Sequence, residues 1–179
     1  MVVLDTYNSL ASLAYTIVAV WDGAFTTAQT VKATCASAAT LLSLRLSMMK
    51  FLLPSATLRF DAYDAAMTLV DWTATFNAST LSAVAFKDKT LNFTQSYVCA
   101  LNEVLWVGCR CTAAVLIDSN NYPALESDNT LPNTSKARIS GAWTLQSGKL
   151  DFTLNGTALG LSIPVAMHHY GQMTRIHRG

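Results

Sequence analysis

Apolar and polar positions alternate most clearly between Arg138 and Val165. Asn155-Gly156 and Ser147-Gly148 are both two-residue hairpin signals, because the turns that join antiparallel strands need positive φ. Closing on the first pairs Leu154 with Thr157, Phe152 with Leu159 and Leu150 with Leu161. Closing on the second pairs Leu145 with Leu150 and Trp143 with Phe152. Leu145, Trp143, Leu150, Phe152, Leu159 and Leu161 then share one face, as a period of two requires. The pattern predicts a three-stranded antiparallel meander over 138–165.

The stretch 55–117 also reads as strands. Leu105, Val107, Cys109, Cys111, Ala113, Val115 and Ile117 fall on one face, and Trp106, Gly108, Arg110, Thr112 and Asp118 on the other. That run exceeds ordinary strand lengths, so a bend or bulge is expected near Gly108. Leu58 and Phe60 alternate with Arg59 and Asp61, and Val70, Trp72, Ala74 and Phe76 with Asp71, Thr73 and Thr75. Shorter strands are expected at 81–86 and 91–93, on either side of a charged turn, Lys87-Asp88-Lys89.

The first fifty-three residues carry apolar spacings of three and four, the helical pattern. Leu10, Leu13, Ala14, Ile17, Val18 and Trp21 predict a helix over 6–21, with a strand from Tyr15 to Trp21 as the rival. Val31, Cys35, Ala38, Leu42, Leu46, Met49 and Leu53 predict a second helix from Thr27 to Leu53, stopped by Pro54. Its rival is a strand in which Leu42, Leu44, Leu46 and Met48 alternate with Ser43, Arg45 and Ser47. Residues 118–137 lack apolar periodicity and read as a long polar loop, and 166–179 as a tail. The expected fold is α+β, mainly β: N-terminal helical segments followed by an antiparallel β-sandwich or barrel. The alternative is all-β. The whole of 1–179 is expected to be a single domain.

Composition adds a surface argument. Of 179 residues, 51% are hydrophobic and 13% charged, so much of the surface must be Ser, Thr, Asn and Ala. A surface with so little charge suits burial against other copies of the chain. The alternative is a monomer with a neutral polar coat. The net charge of +1 gives no bulk attraction for nucleic acid or anionic membrane. Arg175, His177 and Arg178 in the tail are the one basic cluster where a nucleic-acid contact is considered. The segment 33–53 is long enough to span a bilayer, but Arg45 at its centre would cost roughly 2.5–3.5 kcal/mol. The opening Met1-Val2-Val3-Leu4-Asp5 lacks the basic region of a secretory signal, so a virion or the cytoplasm is the expected location.

Candidate chemistry is sparse. Cys109 and Cys111 on one strand face project their thiols about 7 Å apart, awkward for a disulfide, and match no zinc spacing. They read as core residues, and Cys35 and Cys99 complete no disulfide framework. His168 and His169 are adjacent and point to opposite sides of a strand end. Asp61, Asp64 and Asp71 lack calcium-loop spacing, and Glu103 and Glu126 are the only glutamates. Trp21, Trp72, Trp106 and Trp143 have no flanking positive charge along the chain and read as core or subunit-contact anchors. No catalytic, cofactor-binding or metal-ligating residue is assigned. The expected function is a non-enzymatic, self-associating structural subunit, of the kind that builds a virion or phage particle, whose partners are copies of itself. A β-barrel that binds a small apolar ligand is the alternative. A membrane-associated protein with its N-terminal helices in lipid is third, and an enzyme last.

Overall fold

The computed structural model describes residues 1–8, 26–116, 121–128, 131, 134–139 and 141–159. These form the strands β1 (Val2–Tyr7), β2 (Thr26–Thr34), β3 (Ala39–Phe51), β4 (Ser55–Tyr63), β5 (Leu69–Trp72), β6 (Phe76–Asn77), β7 (Lys87–Asn92) and β8 (Val98–Cys99). They continue with β9 (Val104–Leu116), β10 (Tyr122–Leu125), β11 (Ser127–Asp128), β12 (Ser135–Ile139), β13 (Ala142–Gln146), β14 (Lys149–Leu150) and β15 (Phe152–Ala158). A short 3-10 turn, Ala78–Thr80, is the one helical element among the described residues. The α+β expectation is therefore corrected to an antiparallel, nearly all-β fold. The predicted helix from Thr27 to Leu53 is two strands, β2 and β3, and the rival reading of alternating leucines holds. Most of the predicted 6–21 helix lies outside the described residues, and Thr6 and Tyr7 belong to β1.

One sheet is built on β3. β15 and then β10 pair along one edge of it, β7 and β8 along the other, and β1 pairs with the far side of β15. The pairing explains the helical signal. Gly156 pairs with Leu41 and Asn155 with Ser43, which leaves Leu42 as an extra residue in a β-bulge. A bulge moves the inward parity by one position. Inward residues of β3 are thus Ala39 and Leu41 before it, then Leu44, Leu46 and Met48 after it. The spacing of three at 41–44 imitates a helix.

The predicted hairpin turn at Asn155-Gly156 is also corrected: both residues lie inside β15. β1 bulges opposite the same pair, with Leu4 as its extra residue, and Leu4 is buried. A Cβ on Gly156 would lie 2.9 Å from both Leu4 Cδ1 and the Ala39 Cβ. Gly156 is there to admit two neighbours, not to turn the chain. At Ser147-Gly148 no hairpin forms either, because β13 pairs with β12, and β14 with β11. Of the predicted shared face, Leu150 and Phe152 are buried, whereas Leu145 and Leu159 are each 48% exposed. Leu161 lies outside the described residues.

The second sheet runs β13-β12-β2-β9-β4-β5, with β6 following β5 along β4. Leu105, Val107, Cys109 and Cys111 of β9 face the core as the alternation predicts, but Ala113 is exposed. The irregularities against β4 fall at Thr112 and Val115 rather than at Gly108. Part of the expected 118–137 loop is strand, in β10, β11 and β12. Lys87-Asp88-Lys89 is the start of β7, not a turn.

Leu44, Leu46, Met48, Phe152 and Leu154 from the first sheet meet Leu58, Phe60, Leu105, Val107 and Cys109 from the second in one core. Each large side chain so buried stabilises the fold by about 1.5–3 kcal/mol. Gly108 sets how closely β2 and β9 approach. A Cβ there would lie 2.0 Å from the Gln29 carbonyl oxygen and 2.6 Å from the Thr30 Cα, both backbone atoms that cannot rotate away. Gly108→Ala is expected to destabilise by more than about 3 kcal/mol, beyond the usual cost of overpacking. The shift in urea midpoint relative to the wild-type chain measures it.

Candidate functional site

Antiparallel partners carry their side chains on the same face, so register alone assembles the surface of the second sheet that faces away from the core. One row across it reads Trp143, Arg138, Ala28, Arg110, Arg59. The next reads Leu145, Lys136, Thr30, Gly108, Asp61, Trp72. A third holds Lys32, Trp106, Tyr63 and Leu69. Lys32, Lys136, Arg138, Arg110 and Arg59 thus share a face with three tryptophans, and Asp61 is the one carboxylate in these rows.

This face is concave. β13 and β4 stand four strand positions apart, about 19 Å in a flat sheet. Yet the rings of Tyr63 and Trp143 lie 5.0 Å apart, edge to face at 71°. The sheet has curled into a half-barrel until its ends approach. Local packing fills the trough. Lys136 Nζ sits 4.3 Å from the centre of the Trp106 ring, and the Arg59 guanidinium 5.7 Å from that of Trp72. Both are cation–π geometries.

Asp61 organises the floor. Its carboxylate accepts hydrogen bonds from Arg59 Nε at 2.6 Å and from the Tyr63 hydroxyl at 2.7 Å, and its side chain is 1% exposed. Burial pushes its pKa up, while the Tyr63 hydrogen bond and the charges of Arg59 and Arg110 pull it down. The Tyr63 phenol is pushed far up, by burial first and then by Asp61. The Tyr63 phenol therefore stays protonated at neutral pH.

At one end of the trough lies a cavity of about 310 Å3 walled by Tyr63, Met67, Leu69, Arg110, Arg138 and Trp143. Arg138 Nε donates to the Gly141 carbonyl at 3.3 Å. Arg110 Nε is buried with no hydrogen-bond partner. A second cavity, about 290 Å3, lies between Met48, Leu81 and the charged start of β7.

The residues singled out in the sequence lie mostly elsewhere. Cys109 and Cys111 face the core, on the opposite side of β9 from the trough, and all four cysteines are buried and outside any disulfide. Burial and the neighbouring Cys99 hold the Cys35 thiol far above its ordinary range. Asp71 accepts from the backbone N–H groups of Gln95 at 2.8 Å and Tyr97 at 3.1 Å, which fixes the loop beside β5. Glu103 accepts from the Tyr97 hydroxyl at 2.6 Å, pushing that phenol up to about 12. Glu126 accepts from Ser47 Oγ at 2.5 Å, and Asp64 caps the turn after β4. Among the described residues, no group of three His, Cys, Asp or Glu side chains could hold a metal ion. His168 and His169, with the tail residues Arg175, His177 and Arg178, lie outside the described residues. Trp72, Trp106 and Trp143 lack basic neighbours along the chain but gain them across it, a signal readable only once the strand register is known; Trp21 lies outside the described residues.

Asp61→Ala is expected to cost about 3 kcal/mol, because it leaves Arg59 and Arg110 facing each other without their shared anion. Arg59 and Arg110 pair directly in register. The measurement is the urea midpoint at neutral pH, with Asp64→Ala as an exposed-turn control.

No protein-family model matches this chain, and no curated protein sequence matches it.

Proposed function

We propose that the protein is a non-enzymatic structural subunit that works by associating with copies of itself, in a particle of the virion or phage type. The observation that carries this reading is the outer edge of β13, which pairs with no strand among the described residues. A sheet edge offers unpaired N–H and C=O groups to any other strand, and proteins ordinarily guard such edges with charge, bulges or cover. Three other edge strands among the described residues are guarded. β7 begins with Lys87, Asp88 and Lys89. β1 bulges at Leu4, whose carbonyl accepts from the Ala36 N–H at 3.0 Å. β5 is covered by the following loop, where the Thr94 N–H donates to the Trp72 carbonyl at 2.9 Å.

Among the described residues, β13 has none of these devices. Ala142-Trp143-Thr144-Leu145-Gln146 contains no charge and no proline, and among the described residues it pairs on one side only, with β12. Ala142, Thr144 and Leu145 are exposed. A second copy's strand laid along it would extend the sheet by main-chain hydrogen bonds. The charged share of 13% removes much of the repulsion that keeps such edges apart. Both cavities described above have charged side chains in their walls. No helix among the described residues is long and apolar enough to cross a membrane.

Size-exclusion chromatography with light scattering is expected to show species well above the 19.3 kDa protomer. Thr144→Lys with Leu145→Lys places charge on both faces of the edge without touching the core. It should raise the concentration needed for association by at least about tenfold, with an unchanged circular dichroism spectrum. A wild-type chain that stays monomeric at high concentration refutes the reading.

A further inference from the structure

Two buried thiols meet where the chain crosses from one sheet to the other. We infer that Cys35 and Cys99 form a redox-dependent disulfide site: open in a reducing medium, and closed by a small-molecule disulfide oxidant so that the corner between β2 and β3 is locked to β8.

The backbone brings the two residues together. β2 belongs to the second sheet and β3 to the first, and the corner at 35–38 is the link between them. Cys35 opens that corner. Its N–H donates to the Glu103 carbonyl at 2.9 Å, and its carbonyl accepts from the Asn102 N–H at 2.8 Å. Cys99 pairs in register with Ala39, at the far end of the corner. The Cys99 sulfur lies 3.3 Å from the Ala39 carbonyl oxygen and 3.8 Å from that of Ser37. The turn that follows Cys99 is pinned as well. The Glu103 N–H donates to the Ala100 carbonyl at 3.2 Å, and the Glu103 carboxylate accepts from the Ala100 N–H at 2.7 Å. Each cysteine is thus fixed to the segment that carries the other, and the two thiols are hydrogen-bond neighbours. Both side chains are fully buried in the same core cluster.

Other roles fit these sulfurs less well. Among the described residues no group of three His, Cys, Asp or Glu could hold a metal ion. A reactive cysteine needs its thiolate near neutral pH, whereas burial and Cys99 hold the Cys35 thiol far above its ordinary range. A reduced pair that gains nothing from ionising favours a durable disulfide over an easily reduced one. Cys109 and Cys111, two positions apart on one strand, stand about 7 Å from each other, which is awkward for a bridge.

The cover over the pair is thin. Ala36 and Ala38 of the corner are exposed, as are Ala100, Leu101 and Asn102 of the turn. Local opening of that turn admits the oxidant, a small disulfide such as oxidised glutathione. The thiolate of one cysteine attacks a glutathione sulfur and breaks its S–S bond. The first glutathione leaves as a thiolate and takes up the proton that the cysteine lost. The second cysteine then attacks the protein sulfur of the mixed disulfide, and the second glutathione leaves with the second proton. The chain loses two hydrogens, and one glutathione disulfide becomes two thiols. The new bond closes a loop that contains β3 through β8, a long one for restricting the unfolded chain.

The test uses the full chain, equilibrated with reduced or with oxidised glutathione in urea just below the unfolding transition, so that the turn can open. Linkage is read by digestion without reduction and mass spectrometry, and remaining thiols are titrated after denaturation. The expected result is a peptide pair joined through Cys35 and Cys99, with Cys109 and Cys111 still titrating as thiols. The oxidised chain should have a urea midpoint at least about 1 M above that of the reduced chain. Cys35→Ala and Cys99→Ala should each abolish the link and the shift. Reduced and oxidised wild-type chains have one sequence, so the shift is measured without relying on how either variant folds. Four thiols retained after oxidation overturn the inference. So does a bridge made through Cys109 or Cys111, or a Cys35–Cys99 link that leaves the midpoint unchanged or lower. Neither cysteine lies on β13, so the disulfide and self-association can each fail alone.

Discussion

There is no room for a methyl group at position 108, and the shape of the second sheet follows from that. The backbone of β2 comes down on β9 so closely that the carbonyl of Gln29 and the Cα of Thr30 occupy the space a side chain would need. Strands that approach this closely let the sheet coil tightly. Coiling carries β13 round to face β4, which brings Trp143 onto Tyr63 and turns one face of the sheet into a trough. Without that approach, the five cations of this face would lie on an open surface, each solvated separately.

The two faces of this sheet are made by the same strands and differ completely in chemistry. On β9, the odd positions Leu105, Val107 and Cys109 enter a dry core, while Trp106 and Arg110 enter the trough. On β4, Phe60 goes inward and Arg59, Asp61 and Tyr63 go outward. Asp61 is buried all the same, because the curl closes over it. A carboxylate so placed is tolerable only with its hydrogen bonds made, and Arg59 and Tyr63 make them. The first sheet shows a milder version. Arg45 spans Asp88 and Asp151 at 2.6 and 2.5 Å across its outer face, tying β7 to the residue before β15.

Alternation was readable where a strand is regular and misleading where it is bulged. The face of Leu105 to Cys111 and that of Leu58 and Phe60 came directly from period-two spacing. The helix expected over Thr27 to Leu53 arose because a bulge at Leu42 and the corner at 35–38 insert spacings of three and four into a pair of strands. Asn155-Gly156 misled for a different reason. The same residues that permit a tight turn also permit two neighbouring strands to crowd in, and local sequence does not say which. The trough was illegible because its residues come from six strands. Lys136 meets Trp106, and Arg138 lines up with Arg110, only through hydrogen-bonded register. No window along the chain contains them together.

The uncharged edge of β13 also limits what it can build. A strand that pairs antiparallel with its own copy does so about a two-fold axis, and each edge is then consumed by the other. Such a contact closes on itself: it yields pairs and stops. A shell or a tube assembled from this chain would need a second contact of different symmetry, made by another part of the surface, to connect one pair to the next. Assembly would accordingly divide into a pairing step governed by β13 and a growth step that β13 does not govern.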